Sequence, residues 1–197
     1  MITPVFPCGR LLLIVGPSGA GKDRLIDHAK RALSGKDRVR FVQRVITRPL
    51  SAGEVHAPME VTDFKNSAGN GAFALHWAAH GLHYGIPTHI DDWLRAGDVV
   101  VANGSRAMLA SARQRYPQVR IVNVTAPMDI LAERLVARGR ESLEDVRERL
   151  NRGEQHPVEG ADVIHIDNSG QLSVAGDLLA NLLAEEHHRC GKLKWFV

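Results

Sequence analysis

The feature that most constrains this chain is the junction at its start, where the apolar run RLLLIV, Arg10 to Val15, passes straight into GPSGAGKD and then into DRLIDHAKRAL. The run has the length of a short buried strand, the glycines make the turn, and the segment beyond has the apolar spacing of a helix. Within this strand, turn and helix lie Gly16, Gly21 and Lys22, spaced as G-x-x-x-x-G-K. Glycines at these positions let backbone N–H groups face an anion, the helix offers the positive end of its dipole, and the lysine adds a full charge. The junction reads as a phosphate-binding loop.

We therefore expect Gly16, Pro17, Ser18, Gly19, Ala20, Gly21, Lys22 and Asp23 to hold the phosphates of ATP, with Lys22 also stabilising the group in transfer. Asp23 departs from the usual loop, in which a Ser or Thr hydroxyl ligates Mg²⁺. A carboxylate is also a hard oxygen donor, so Asp23 is the candidate metal ligand, at the cost of a negative charge beside the triphosphate.

Three more compact apolar runs, in GDVVVANGS, QVRIVNVTAP and ADVIHIDNS, are separated by helical stretches. Helices are expected over Lys22 to Leu33, Ile90 to Ala96, Ser105 to Tyr116, Met128 to Ala137, Leu143 to Gly153 and Gln171 to Glu186. Such alternation predicts an α/β P-loop NTPase fold, a parallel sheet covered by helices on both faces. The 197 residues suit one domain. Between about residues 41 and 89 the pattern gives way to turn chemistry, short extended segments and a flexible SAGNGA, which reads as a small inserted acceptor-binding lobe.

Transfer to an acceptor that already carries phosphate brings two anions together, so fixed cations must screen them. Arg44 and Arg48, in RVITRPLSAGE, open the lobe. Arg134, Arg138 and Arg140, in ERLVARGRES, flank a glycine hinge at Gly139, and we expect a lid at about residues 138–145. Arg134 and Arg138 share a helix face by their spacing. His76 and His80 are candidate sugar contacts; with His83 they lack the framework of a zinc site, and Trp77 is expected in the lobe core.

GPSGAGKD, VITRPLSAGE, FALHWAAHGLHYGIP and the RGRE segment occur in the order found in guanylate kinases, a resemblance running from about residue 10 to 186. More narrowly, Asp23 after the loop lysine, ITR, AHGL with YGI, ANGSRA at Ala102 to Ala107 and RGRE resemble the bacterial ribose 1,5-bisphosphate phosphokinases. The resemblance implies that ATP phosphorylates the anomeric phosphate of ribose 1,5-bisphosphate, giving 5-phosphoribosyl 1-diphosphate, in alkylphosphonate use and phosphoribosyl diphosphate supply. It also implies that Tyr84 contacts the acceptor and that Asn103 occupies an approximate acceptor position. Guanylate kinases carry a second arginine where this chain has Ser51, and a guanine-reading glutamate where it has His76. Histidine cannot supply that glutamate's paired acceptor oxygens, which favours a sugar phosphate over a nucleotide.

The net charge of +3 suits an anionic ligand, but the basic residues are dispersed, so no nucleic-acid partner is expected. Cys8 and Cys190 lie at opposite ends without metal or disulfide spacing, and the longest apolar run is too short to span a membrane, so a cytoplasmic protein is expected. Oligomeric state is not legible. Two alternatives stay open: a kinase of guanylate or another nucleoside monophosphate, and a catalytically silent interaction module.

Overall fold

The computed structural model describes residues 9–50, 55–137 and 158–193. In chain order the elements are β1 (Arg10–Val15), α1 (Lys22–Ala32), β2 (Val39–Phe41), β3 (Val45–Ile46), β4 (Ala57–Pro58), α2 (Val61–Gly69), β5 (Phe73–Ala79) and β6 (Leu82–Pro87). There follow α3 (Ile90–Arg95), β7 (Val99–Asn103), a 3₁₀ turn at Arg106–Met108, α4 (Leu109–Arg115), β8 (Arg120–Thr125), α5 (Met128–Val136), β9 (Val163–Asp167) and α6 (Leu172–Leu193).

β1 is the middle of a five-stranded sheet ordered β2-β7-β1-β8-β9, parallel throughout. Its successive side chains point to opposite faces, and both faces are covered, which is why the strand reads as an unbroken apolar run. Leu12 and Ile14 pack in a core with Leu25 of α1, Leu131 of α5 and Leu179 and Leu183 of α6. Leu11, Leu13 and Val15 pack in a second core with Ile90, Leu94 and Leu109, and with Leu75, Trp77 and Ile86 of the lobe. The parallel sheet sends the carboxyl ends of its strands to one edge, where ligands bind in folds of this kind.

The lobe is a four-stranded sheet ordered β4-β3-β6-β5. β5 and β6 form a hairpin closed by His80 and Gly81, both with positive φ (52° and 72°), the backbone that a two-residue turn of the primed type requires. α2 was not foreseen. Its apolar pattern is weak, but Phe64 is buried and stacks on Phe73 at 4.6 Å and on His83 at 5.4 Å. That anchor makes the supposedly flexible Ser67, Ala68 and Gly69 the last residues of a helix.

Two boundaries also moved. α6 continues past Glu186 to Leu193, because Cys190 is buried beyond it and Glu186 is buried beneath Arg10, Arg120 and Arg189. The helix expected from Ser105 starts as a 3₁₀ turn capped by the Ser105 hydroxyl, which accepts from the Ala107 amide. The helix expected over Leu143 to Gly153 and the lid at 138–145 lie outside the described residues.

Arg113 of α4 grips Asp162, just before β9, with Nε at 2.8 Å and Nη2 at 3.0 Å. These bonds hold the Asp162 carboxyl below its ordinary range. A depressed carboxyl pKa contributes stability that is present above the unfolded value, about 4, and is lost as pH falls through the folded value. Asp162→Asn should therefore lower Tm at neutral pH and flatten the loss of Tm below about pH 4, read by thermal melts against pH.

Candidate active site

The glycine loop leaves β1 at its carboxyl end and turns into α1. Gly16 has φ +139°, and a Cβ there would stand 2.1 Å from the Val124 carbonyl oxygen of β8. Gly21, at φ +87°, starts α1 without any side-chain cap, so the first amides of the helix remain for an anion. The Lys22 ammonium folds back over the loop, donating to the carbonyls of Gly16 at 2.8 Å and Pro17 at 2.9 Å. The cation is thereby held at the start of the loop.

Asp23, one residue further, is the meeting point of the phosphate loop and the lobe. Its carboxylate is 72% exposed, and its Oδ1 accepts from Asn103 Nδ2 at 2.5 Å and lies 3.6 Å from Arg44 Nη2. Asn103 ends β7 beside Ile14 of β1 and is buried, so it fixes the carboxylate from the sheet side. Arg44 comes from the lobe with its side chain only 15% exposed, and its guanidinium stands 6.0 Å from the Tyr84 ring. Tyr84 in turn stacks on Trp77, with centroids 5.2 Å apart and rings 6° from parallel, and Trp77 is buried in the core as expected. An unbroken line of contacts thus runs from the lobe core to the phosphate loop.

The remaining expected residues are placed more variously. Arg48 follows β3, where its carbonyl oxygen lies 3.2 Å from His56 Nε2. His76 pairs with Gly85, one position out of step with the Trp77 and Tyr84 pair, so it occupies the opposite face of the hairpin and is exposed there. His80 sits in the hairpin turn. Arg134 Nη2 donates to the Asn168 carbonyl at 2.9 Å, while its Nη1 is buried without a hydrogen bond among the described residues. Arg138 and Arg140 lie outside the described residues.

Two residues were missed. Asn168, just beyond β9, is buried and donates from Nδ2 to the Ala20 carbonyl at 2.7 Å, clamping the phosphate loop while its own backbone receives Arg134. Spacing carries no sign of this contact, which joins positions 148 residues apart. Arg106, inside the ANGSRA segment, stands three residues past Asn103, and burial lowers its guanidinium pKa.

The residues suit a magnesium–nucleotide complex. Mg²⁺ takes hard oxygens and usually keeps water, needing one or two carboxylates besides phosphate. Asp23 offers an exposed carboxylate, and Asn103 Oδ1 beside it is a buried acceptor with no hydrogen bond among the described residues.

A phosphate loop at the carboxyl edge of a parallel sheet, a small second sheet packed on one face of it and an arginine joining the two define a guanylate kinase-like P-loop kinase. The fold matches guanylate kinase of Anaplasma phagocytophilum with a TM-score of 0.67 over 93% of this chain and 89% of that one, at 19% identity. No protein-family model matches the chain. It is 46% identical over 170 residues to ribose 1,5-bisphosphate phosphokinase PhnN of Brucella melitensis, covering 86% of this chain and 88% of that protein. With the protein of the same name from Pseudomonas fluorescens it shares 44% over 188 residues, or 92% and 98% of the two chains. The chain belongs to the ribose 1,5-bisphosphate phosphokinase family.

Proposed function

We propose that the protein transfers the γ-phosphoryl group of ATP to the anomeric phosphate of ribose 1,5-bisphosphate, giving 5-phosphoribosyl 1-diphosphate and ADP. Membership of the phosphokinase family supports the substrate. The observation that carries the site is the meeting of Asp23, from the donor loop, with Arg44, from the acceptor lobe, 3.6 Å apart. A donor site and an acceptor site share a wall at that point.

In the transfer, an oxygen of the acceptor phosphate bonds to the γ-phosphorus while the bond from that phosphorus to the bridging oxygen of ADP breaks. The attacking phosphate is already ionised near neutrality, so alignment and charge stabilisation carry the catalysis and no general base is required. Loop amides hold the donor phosphates, Lys22 faces the transferring group, and Arg44, Arg48 and Tyr84 hold the acceptor. Arg134, with Arg138 and Arg140, neutralises charge from the lid side. Asp23, with Asn103 beside it, would hold Mg²⁺, which would supply charge neutralisation for the donor phosphates. His76 and His80, on the far face and the turn of the hairpin, contribute to sugar binding only at the rim.

Product formation from ATP and Mg²⁺, with ribose 1,5-bisphosphate and guanosine monophosphate in parallel, tests the reading by phosphorus NMR. A new sugar diphosphate from the ribose compound alone supports it, and preferential guanosine diphosphate overturns it. Asp23→Ser should shift the Mg²⁺ concentration for half-maximal rate upward by several-fold with little change in Tm; an unchanged Mg²⁺ titration removes the metal role from Asp23.

A further inference from the structure

Asp23 carries one charge, for which Arg44 and the metal of a bound nucleotide would compete. Its Oδ1 is bonded by Asn103 and pairs with Arg44, and the same carboxylate stands in the first turn of α1, where the metal of a loop-bound nucleotide sits. We infer that Asp23 couples the two substrate sites: while the donor site is empty it holds Arg44, and Mg²⁺ arriving with the nucleotide releases Arg44 to the acceptor phosphate. The inference rests on the phosphokinase reading for the identity of the acceptor.

The argument is electrostatic. A carboxylate bound to a dication no longer presents net negative charge to a guanidinium, so the Arg44 pair weakens as the metal binds. Arg44 also stands 6.0 Å from the Tyr84 ring, a contact that does not depend on Asp23. A Ser or Thr hydroxyl at position 23 would ligate the metal without attracting an arginine. The carboxylate therefore adds a function that the usual loop residue lacks: it makes acceptor affinity depend on the metal–nucleotide complex. Because the pair is largely exposed on the Asp23 side, the coupling is modest, about fivefold. Linkage makes it reciprocal, so the acceptor tightens metal–nucleotide binding by the same factor.

Calorimetric titration of ribose 1,5-bisphosphate into the protein alone, with a non-hydrolysable ATP analogue, and with the analogue plus Mg²⁺ reads the coupling. About fivefold tighter binding is expected in the third state only. In Asp23→Asn the three affinities should be equal and near the tighter value. A second titration uses no acceptor: Mg²⁺ is added to the analogue complex of the wild type, Arg44→Gln, Asp23→Asn and the double variant. Removing Arg44 should tighten Mg²⁺ about fivefold when position 23 is Asp and have no effect when it is Asn. Acceptor affinity indifferent to Mg²⁺, or Mg²⁺ affinity indifferent to Arg44, overturns the inference. If ribose 1,5-bisphosphate binds in no state, the substrate reading falls, and the metal cycle still decides the coupling.

Discussion

Lys22→Ala should lower kcat by about 100- to 1,000-fold while the melting temperature moves by only a few degrees. The loss follows from removing a full charge held at the phosphate loop, where charge develops on the transferring group. The small thermal effect follows from the bonds the ammonium makes, which go to loop carbonyls that solvent can reach once the side chain is gone. Lys22→Arg should not restore the rate, because a planar guanidinium cannot reproduce a compact point charge above a loop shaped for it. Single-turnover rates separate this from weaker nucleotide binding. Turnover within tenfold of the wild type in the alanine variant would take the transfer role away from Lys22.

Gly16→Ala should be the costliest single change to stability, about 3 kcal/mol or more. Two penalties add at this position. The backbone is at φ +139°, which side-chain-bearing residues rarely adopt, and the new methyl would lie 2.1 Å from the Val124 carbonyl. The obstructing atom belongs to the backbone of β8 in the middle of the sheet, so neither partner can step aside without breaking pairing. For a chain of this size that loss corresponds to a fall in Tm of roughly 6 to 12 °C. Nucleotide affinity should fall with it, since the displaced residue begins the phosphate loop. A variant that melts like the wild type would show that the loop can be shifted off β8 freely.

What the sequence made legible was what short-range chemistry determines. Gly16, Gly21 and Lys22 sit within seven residues of one another, between a strand and a helix whose patterns are unmistakable, and the structure places them as that pattern requires. Arg44 and Tyr84 were named from the sequence as acceptor contacts, and only the fold shows that they stand together and that Arg44 reaches Asp23. What was not legible shares a cause. α2 is anchored by Phe64 against Phe73 and His83, partners supplied by a sheet that forms later in the chain. His76 and Tyr84 fall on opposite faces because the turn at His80 and Gly81 fixes the register, and a one-residue difference in that turn would have reversed the answer. Asn168 is an unremarkable residue in a loop until β9 delivers it to Ala20.

The core that holds Leu11, Leu13 and Ala102 of the main sheet also holds Leu75, Trp77 and Ile86 of the lobe. The lobe is consequently no detachable cassette. Cutting it out would bare the part of that face which α3 and α4 leave to it, and exchanging it for a foreign one would require recutting that part to match. A change of acceptor on this plan is open to exposed side chains such as His76, while the shared core beneath them has to be kept whole.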